Sequence, residues 1–93
     1  MILDELEKAE TKHPKFADFF TTKNNIFAVQ KSLKTIREVN SEGPYDADII
    51  LREEVLEATE AYLQNDRENC LKELAQCGAV ILRCMEMVEK EMN

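Results

Sequence analysis

Apolar side chains recur along this chain at helical spacing, and their interruptions divide it into four segments. Ile2, Leu3 and Leu6 mark a short first helix over residues 2–11. It ends near His13-Pro14, because the residue before a proline resists the α conformation. Phe16, Phe19 and Phe20 follow in a stretch that forms either a helical turn or a packed connector. Thr21 or Thr22 is placed to N-cap a long second helix running to about Asn40, with Ile26, Phe27, Val29, Leu33, Ile36 and Val39 inside it. Ser41-Glu42-Gly43-Pro44 is the clearest break in the chain. A third helix starts near Asp46 or Asp48 and reaches about Leu63. Gln64-Asn65-Asp66 then turns the chain, and Asp66 caps a fourth helix running to about Glu91, with Glu68 in its first turn. So short a connection makes the third and fourth helices antiparallel neighbours. Glu57, six residues before Leu63, then lies near Glu73, seven after Asp66.

The pattern fails in an informative place. Glu54 and Glu57 share a helical row with Ile50 and Ala61, and Glu73 shares one with Cys70, Cys77, Val80 and Cys84, so acids stand where apolar residues are expected. Side chains three apart on a helix lie about 5–6 Å from one another at Cβ. Glu54 with Glu57, and Glu73 with Gln76, therefore make two pincers of oxygen atoms that face each other across an antiparallel helix pair. Carboxylates turned into such an interface repel and lose hydration, at a cost of several kcal/mol per ion unless something compensates. A hard divalent cation is the obvious compensator. Mg²⁺ takes oxygen ligands in octahedral geometry and commonly keeps substrate phosphate oxygens beside one or two carboxylates, so the implied ligand is phosphorylated.

Glu53-Glu54-Val55-Leu56-Glu57, a fifteen-residue spacer and Glu73-Leu74-Ala75-Gln76 resemble the EExxE, spacer, ExxD signature of the MazG-like, all-α nucleoside triphosphate pyrophosphatases. The resemblance covers roughly residues 46–90, with residues 1–40 fitting loosely as preceding helices. It implies a MazG-like bundle of about four helices that binds Mg²⁺, with Mn²⁺ as an alternative, and hydrolyses an NTP or dNTP to the monophosphate and pyrophosphate. Carried over by position, Glu54, Glu57 and Glu73 would be metal ligands, Gln76 would complete the shell, and Glu53 would be an auxiliary acid that binds metal or orients water, with Glu53 and Glu54 the catalytic pair. Gln76 departs from the family's Asp: its carbonyl oxygen can ligate, but it brings no charge and cannot act as a base. The same resemblance therefore leaves a second expectation open, a non-catalytic helical module that binds nucleotide or protein.

Composition sets the frame. At 93 residues with two Gly, two Pro and no Trp, 44% hydrophobic and 33% charged, the chain reads as one all-helical domain over residues 1–93. It is little longer than the roughly 70–80 residues below which one core seldom suffices, and apolar rows on more than one helix face point to completion by a homodimer or homotetramer. The net charge of -7 argues against binding a nucleic-acid polymer, which relies on clustered Lys and Arg. No apolar run reaches the length of a membrane span, and Asp4, Glu5 and Glu7 do not resemble a secretory start, so the expected location is cytoplasmic. Cys70, Cys77 and Cys84, seven apart on one helix, lie about 10 Å from one another along its axis, too far to bridge, and read as buried structural thiols.

Basic residues that could meet phosphate are Lys31, Lys34 and Arg37, at three-residue steps on the second helix, with Arg52 and Arg83 flanking the pincers. Arg83, seven residues after Gln76 and on the same face, is the best of them and Lys34 the next to be considered; the competing reading is a solvated face paired with acids such as Glu38. Glu60 reads as solvated, and Phe16, Phe19 and Phe20 as core or subunit contacts in preference to base-stacking platforms. No Ser or Cys stands beside a His, and there is no glycine-rich phosphate loop.

Overall fold

A computed structural model describes Glu5, Lys8, Ala9, Lys12 and residues 16–22, 25–43 and 46–92. The described residues hold three long helices and no strand: α1 (Ile26–Glu42), α2 (Ala47–Leu63) and α3 (Arg67–Glu91). Ile2, Leu3, Leu6, His13 and Pro14, on which the expected first helix and its end rest, lie outside the described residues, although Glu5, Lys8, Ala9 and Lys12 are helical and Lys8 Nζ pairs with Glu5 at 3.2 Å. Residues 16–22 form a non-helical connector.

The helix ends follow local hydrogen bonding. α1 begins later than the threonines suggest: the cap is Asn25, whose Oδ1 accepts from the Ala28 amide at 3.2 Å. Asparagine outranks threonine at this position because its carbonyl oxygen reaches an N-terminal amide readily. The helix also runs two residues past Asn40 and stops at Gly43, whose φ of 25° suits a residue without Cβ. Asp46 precedes α2 without making a side-chain cap bond.

The corner between α2 and α3 is fastened more firmly. Asn65 adopts the left-handed conformation at φ 60°. Its amide donates to Tyr62 O at 3.0 Å and the next, Asp66, donates to Ala61 O at 2.9 Å, the paired bonds of a Schellman ending. Asp66 then caps α3, its carboxylate accepting from the Asn69 amide at 3.0 Å. Tyr62 anchors the outside of the corner: the Arg67 guanidinium lies 3.8 Å above its ring and donates to its carbonyl at 2.8 Å, and the Phe20 ring packs beside it at 5.6 Å. Two helices joined this tightly run back antiparallel.

α2 is the central element, packed on α3 along most of its length and on α1 less extensively, while α1 and α3 do not meet. The buried side chains are few and mostly small: Val29 and Leu33 on α1, Ala58 and Ala61 on α2, Cys70 and Cys77 on α3. Ala58 and Ala61 against Cys70 let the α2 and α3 backbones approach closely. The three cysteines are free thiols, two of them buried, as their spacing suggests. Phe16 and Phe19, expected as core or subunit contacts, are no part of the core of this chain: they are 85% and 63% exposed.

Candidate functional site

The polar side chains of the helix interior gather on one stretch of α2. Glu53, Glu54 and Glu57 are all half-buried, and each offers a carboxylate oxygen within 4.8 Å of the others. Successive turns of one helix make this possible, since Glu57 is the i+4 neighbour of Glu53 and the i+3 neighbour of Glu54. The antiparallel corner supplies the opposite wall. Glu73, six residues into α3 as Glu57 is six from the end of α2, meets the Glu57 carboxyl within hydrogen-bonding reach and faces Glu54 closely enough to oppose its charge.

Such crowding changes the acids. Burial, then the charges of Glu73 and Glu53, push the Glu54 carboxyl above the ordinary carboxylate range. Glu57 is pushed up to about 7, by burial first and then by the hydrogen bond it shares with Glu73 and by its neighbours Glu54 and Glu53. The Arg37 guanidinium lies 3.5 Å from Glu57 Oε1 but is 52% exposed; solvated to that degree, it does not offset the burial and the facing acids. Cys77 sits at the floor of the cluster, and burial followed by the charges of Glu54 and Glu73 raises its thiol too. It is a neutral packing group there.

α1 contributes two residues to the site. Arg37 is one of the three α1 cations that the sequence offered as phosphate partners. Asn40 was not foreseen there: its Nδ2 donates to Glu53 Oε1 at 2.9 Å and to Ile49 O at 3.5 Å, while its Oδ1 is buried without a hydrogen-bond partner. The signal was present, since Asn40 follows Leu33 by seven residues and so stands on the buried row of α1, the same anomaly that singled out the acids of α2.

The remaining expected residues are placed differently. Gln76 is exposed on α3, one turn beyond Glu73. Arg83 is exposed and lines a cleft of about 170 Å³ with Ala47, Ile50, Val80, Cys84 and Met87. Because Ile50 precedes Glu54 by one turn, Arg83 stands at the end of the acidic stretch rather than over it. Lys34 is exposed on α1 and lines neither this cleft nor the open groove of Lys31, Thr35, Ile36, Ile49 and Arg52 between α1 and α2. Arg52 pairs with exposed Asp48 at 3.6 Å, which is the solvated ion pair its position allows.

The donor set suits a hard cation. Carboxylate oxygens without a histidine favour Mg²⁺ or Mn²⁺ over softer metals. Oxygens within 4.8 Å need only small side-chain rotations to reach the roughly 3–4 Å spacing of ligands around an octahedral ion. Fold and site together define an all-α chain whose helical hairpin sets three clustered carboxylates of α2 against a fourth acid, Glu73, on α3. No protein-family model, no curated protein and no solved structure matches the chain. No helix among the described residues is long and apolar enough to cross a membrane.

Proposed function

We propose that the protein is a Mg²⁺-dependent nucleoside triphosphate pyrophosphohydrolase of MazG-like type, hydrolysing an NTP or dNTP to the monophosphate and pyrophosphate. The single observation that carries the reading is the meeting of Glu54 and Glu57 with Glu73 across the antiparallel hairpin, a costly arrangement of acids that a divalent cation relieves. Glu54, Glu57 and Glu73 would hold Mg²⁺ or Mn²⁺, with Gln76 as a neutral oxygen donor. When bound, the ion polarises phosphate oxygens and lowers the pKa of an attacking water. Glu53 is held by Asn40 at one carboxylate oxygen, which leaves the other to accept a proton from that water. Arg37, paired with Glu57, and Arg83, at the cleft end, are the cations offered to the substrate phosphates, with Lys34 on α1 a further candidate. Association into a homodimer or homotetramer completes the bundle, and the exposure of Leu71, Leu82 and Val88 supports it.

Gln76 favours a second reading, a helical module that binds nucleotide or a partner protein without turnover, because it lacks the charge of the family's Asp and is exposed on α3 one turn beyond Glu73. Pyrophosphate release from a panel of ribo- and deoxynucleoside triphosphates, with Mg²⁺ or Mn²⁺, separates the two. The enzyme reading expects turnover that Glu54→Gln abolishes in a folded protein. A silent panel from folded, associated protein that still binds nucleotide moves the conclusion to the module.

A further inference from the structure

We propose that the outer row of α3 is a seam that pairs antiparallel with the same row of a second copy of this chain. The helix carries two rows with the alternating three- and four-residue steps of helix-on-helix packing. One, Cys70, Glu73, Cys77, Val80, Cys84 and Met87, runs along the α2 side. The other, displaced by one residue and so by about 100° around the helix, is Leu71, Leu74, Gly78, Ile81, Met85 and Val88. Every large side chain of this second row is exposed, from 38% at Leu74 to 68% at Leu71, and Leu82 beside it is 49% exposed. Together they present on the order of 600 Å² of apolar surface, the upper end of what a free-standing monomer shows in one patch, close to the roughly 800 Å² per partner of a standard interface.

The row is complementary to itself in one register. Set antiparallel about a two-fold axis between Ala79 and Val80, it places Leu71 opposite the second copy's Val88, Leu74 opposite its Met85, and Gly78 opposite its Ile81. The central pair matters most. A Cβ built at Gly78 would meet nothing within 4 Å in its own chain, so nothing inside the monomer requires glycine there. Glycine nevertheless costs an exposed helix interior about 1 kcal/mol against alanine, and the register gives that space a use: it receives the β-branched side chain of Ile81. Ala75 against Leu82 repeats the small-to-large match on the flank. A parallel pairing would instead set Gly78 on Gly78 and leave a hole. Antiparallel helices also set their macrodipoles favourably.

The seam rests on the association proposed above and on neither the metal nor the nucleotide. Sedimentation of the full chain should give about twice 10.8 kDa at micromolar concentration, with tighter association at higher salt because two chains of -7 repel. A Cβ at position 78 meets nothing in its own chain, so Gly78→Ile should fold and should weaken association by ten- to a hundredfold through the clash with Ile81. The exchange Gly78→Ile/Ile81→Gly should restore it, because the register then matches the same two shapes the other way round. A second readout does not depend on whether Gly78→Ile folds: Leu71→Cys/Val88→Cys should oxidise to a reducible covalent dimer, and neither single variant should. A wild-type mass of 10.8 kDa, as expected if residues 1–15 or a different protein covers the row, would overturn the proposal. So would association indifferent to Gly78→Ile, or cross-linking by Leu71→Cys alone, which marks a parallel pair.

Discussion

The two rows of α3 invert the usual relation between hydrophobicity and burial. The row turned to α2 carries an acid among three cysteines and holds the buried side chains of the helix, Cys70 and Cys77, although Met87 at its far end is 51% exposed. Its neighbour, built of Leu, Ile, Met and Val around one glycine, is more apolar and is left outside. Within one chain, then, the hairpin interior serves close backbone approach and a charged cluster, and contributes little apolar burial. The more apolar surface lies one residue away in sequence, exposed along the outer row, where the proposed second copy would cover it.

The largest expected effect comes from charging the outer row. Ile81→Asp leaves a carboxylate unpaired at the centre of the seam and should cost association on the order of 3–5 kcal/mol, seen as loss of the dimer by sedimentation and a melting temperature that no longer rises with protein concentration. Overfilling the inner row comes next. Ala58 is fully buried at the α2–α3 crossing, so Ala58→Leu should destabilise by about 1–3 kcal/mol in a denaturant titration. If the hairpin tolerates leucine there, the crossing is looser than the structure shows.

The third prediction has the opposite sign. The Glu57 carboxyl is raised from 4.5 to about 7 in the fold, so between those values the native chain binds more protons than the unfolded one. The stability this group contributes is full below pH 4.5 and is lost as pH rises through 7. Glu57→Gln should therefore stabilise the metal-free protein at pH 8 by up to about 3 kcal/mol, leave it little changed at pH 4.5, and flatten the curve between. A parallel pH dependence of wild type and variant would locate the strain elsewhere. The smallest effect is at the corner: Asp66→Ala removes the carboxylate that accepts from the Asn69 amide and should cost about 1 kcal/mol in thermal unfolding.

The hairpin was legible in the sequence because its signals are local. A capping aspartate, a two-residue turn and acids on otherwise apolar rows fix the antiparallel pair, and with it the meeting of Glu57 and Glu73. What was not legible depends on partners distant in sequence. Thr21 or Thr22 was expected to cap α1, whereas the cap is Asn25, because its side chain is the one that reaches the Ala28 amide. Asn40 read as a helix end, since nothing local says that its amide turns to Glu53, thirteen residues on. Arg37 was one of three equivalent cations on α1 until packing against α2 brought it alone to Glu57. The two rows of α3 differ by a single residue in phase, and period alone does not say which one meets α2.

The central claim, that the inner acids form a cation site rather than a poorly made core, is tested most directly by the melting temperature of wild type and Glu57→Gln at pH 8, each with and without Mg²⁺. The account predicts that Mg²⁺ raises the melting temperature of wild type, and that Glu57→Gln raises it without the ion and removes most of the response to it. A wild-type melting temperature that Mg²⁺ and Mn²⁺ leave unmoved would contradict it.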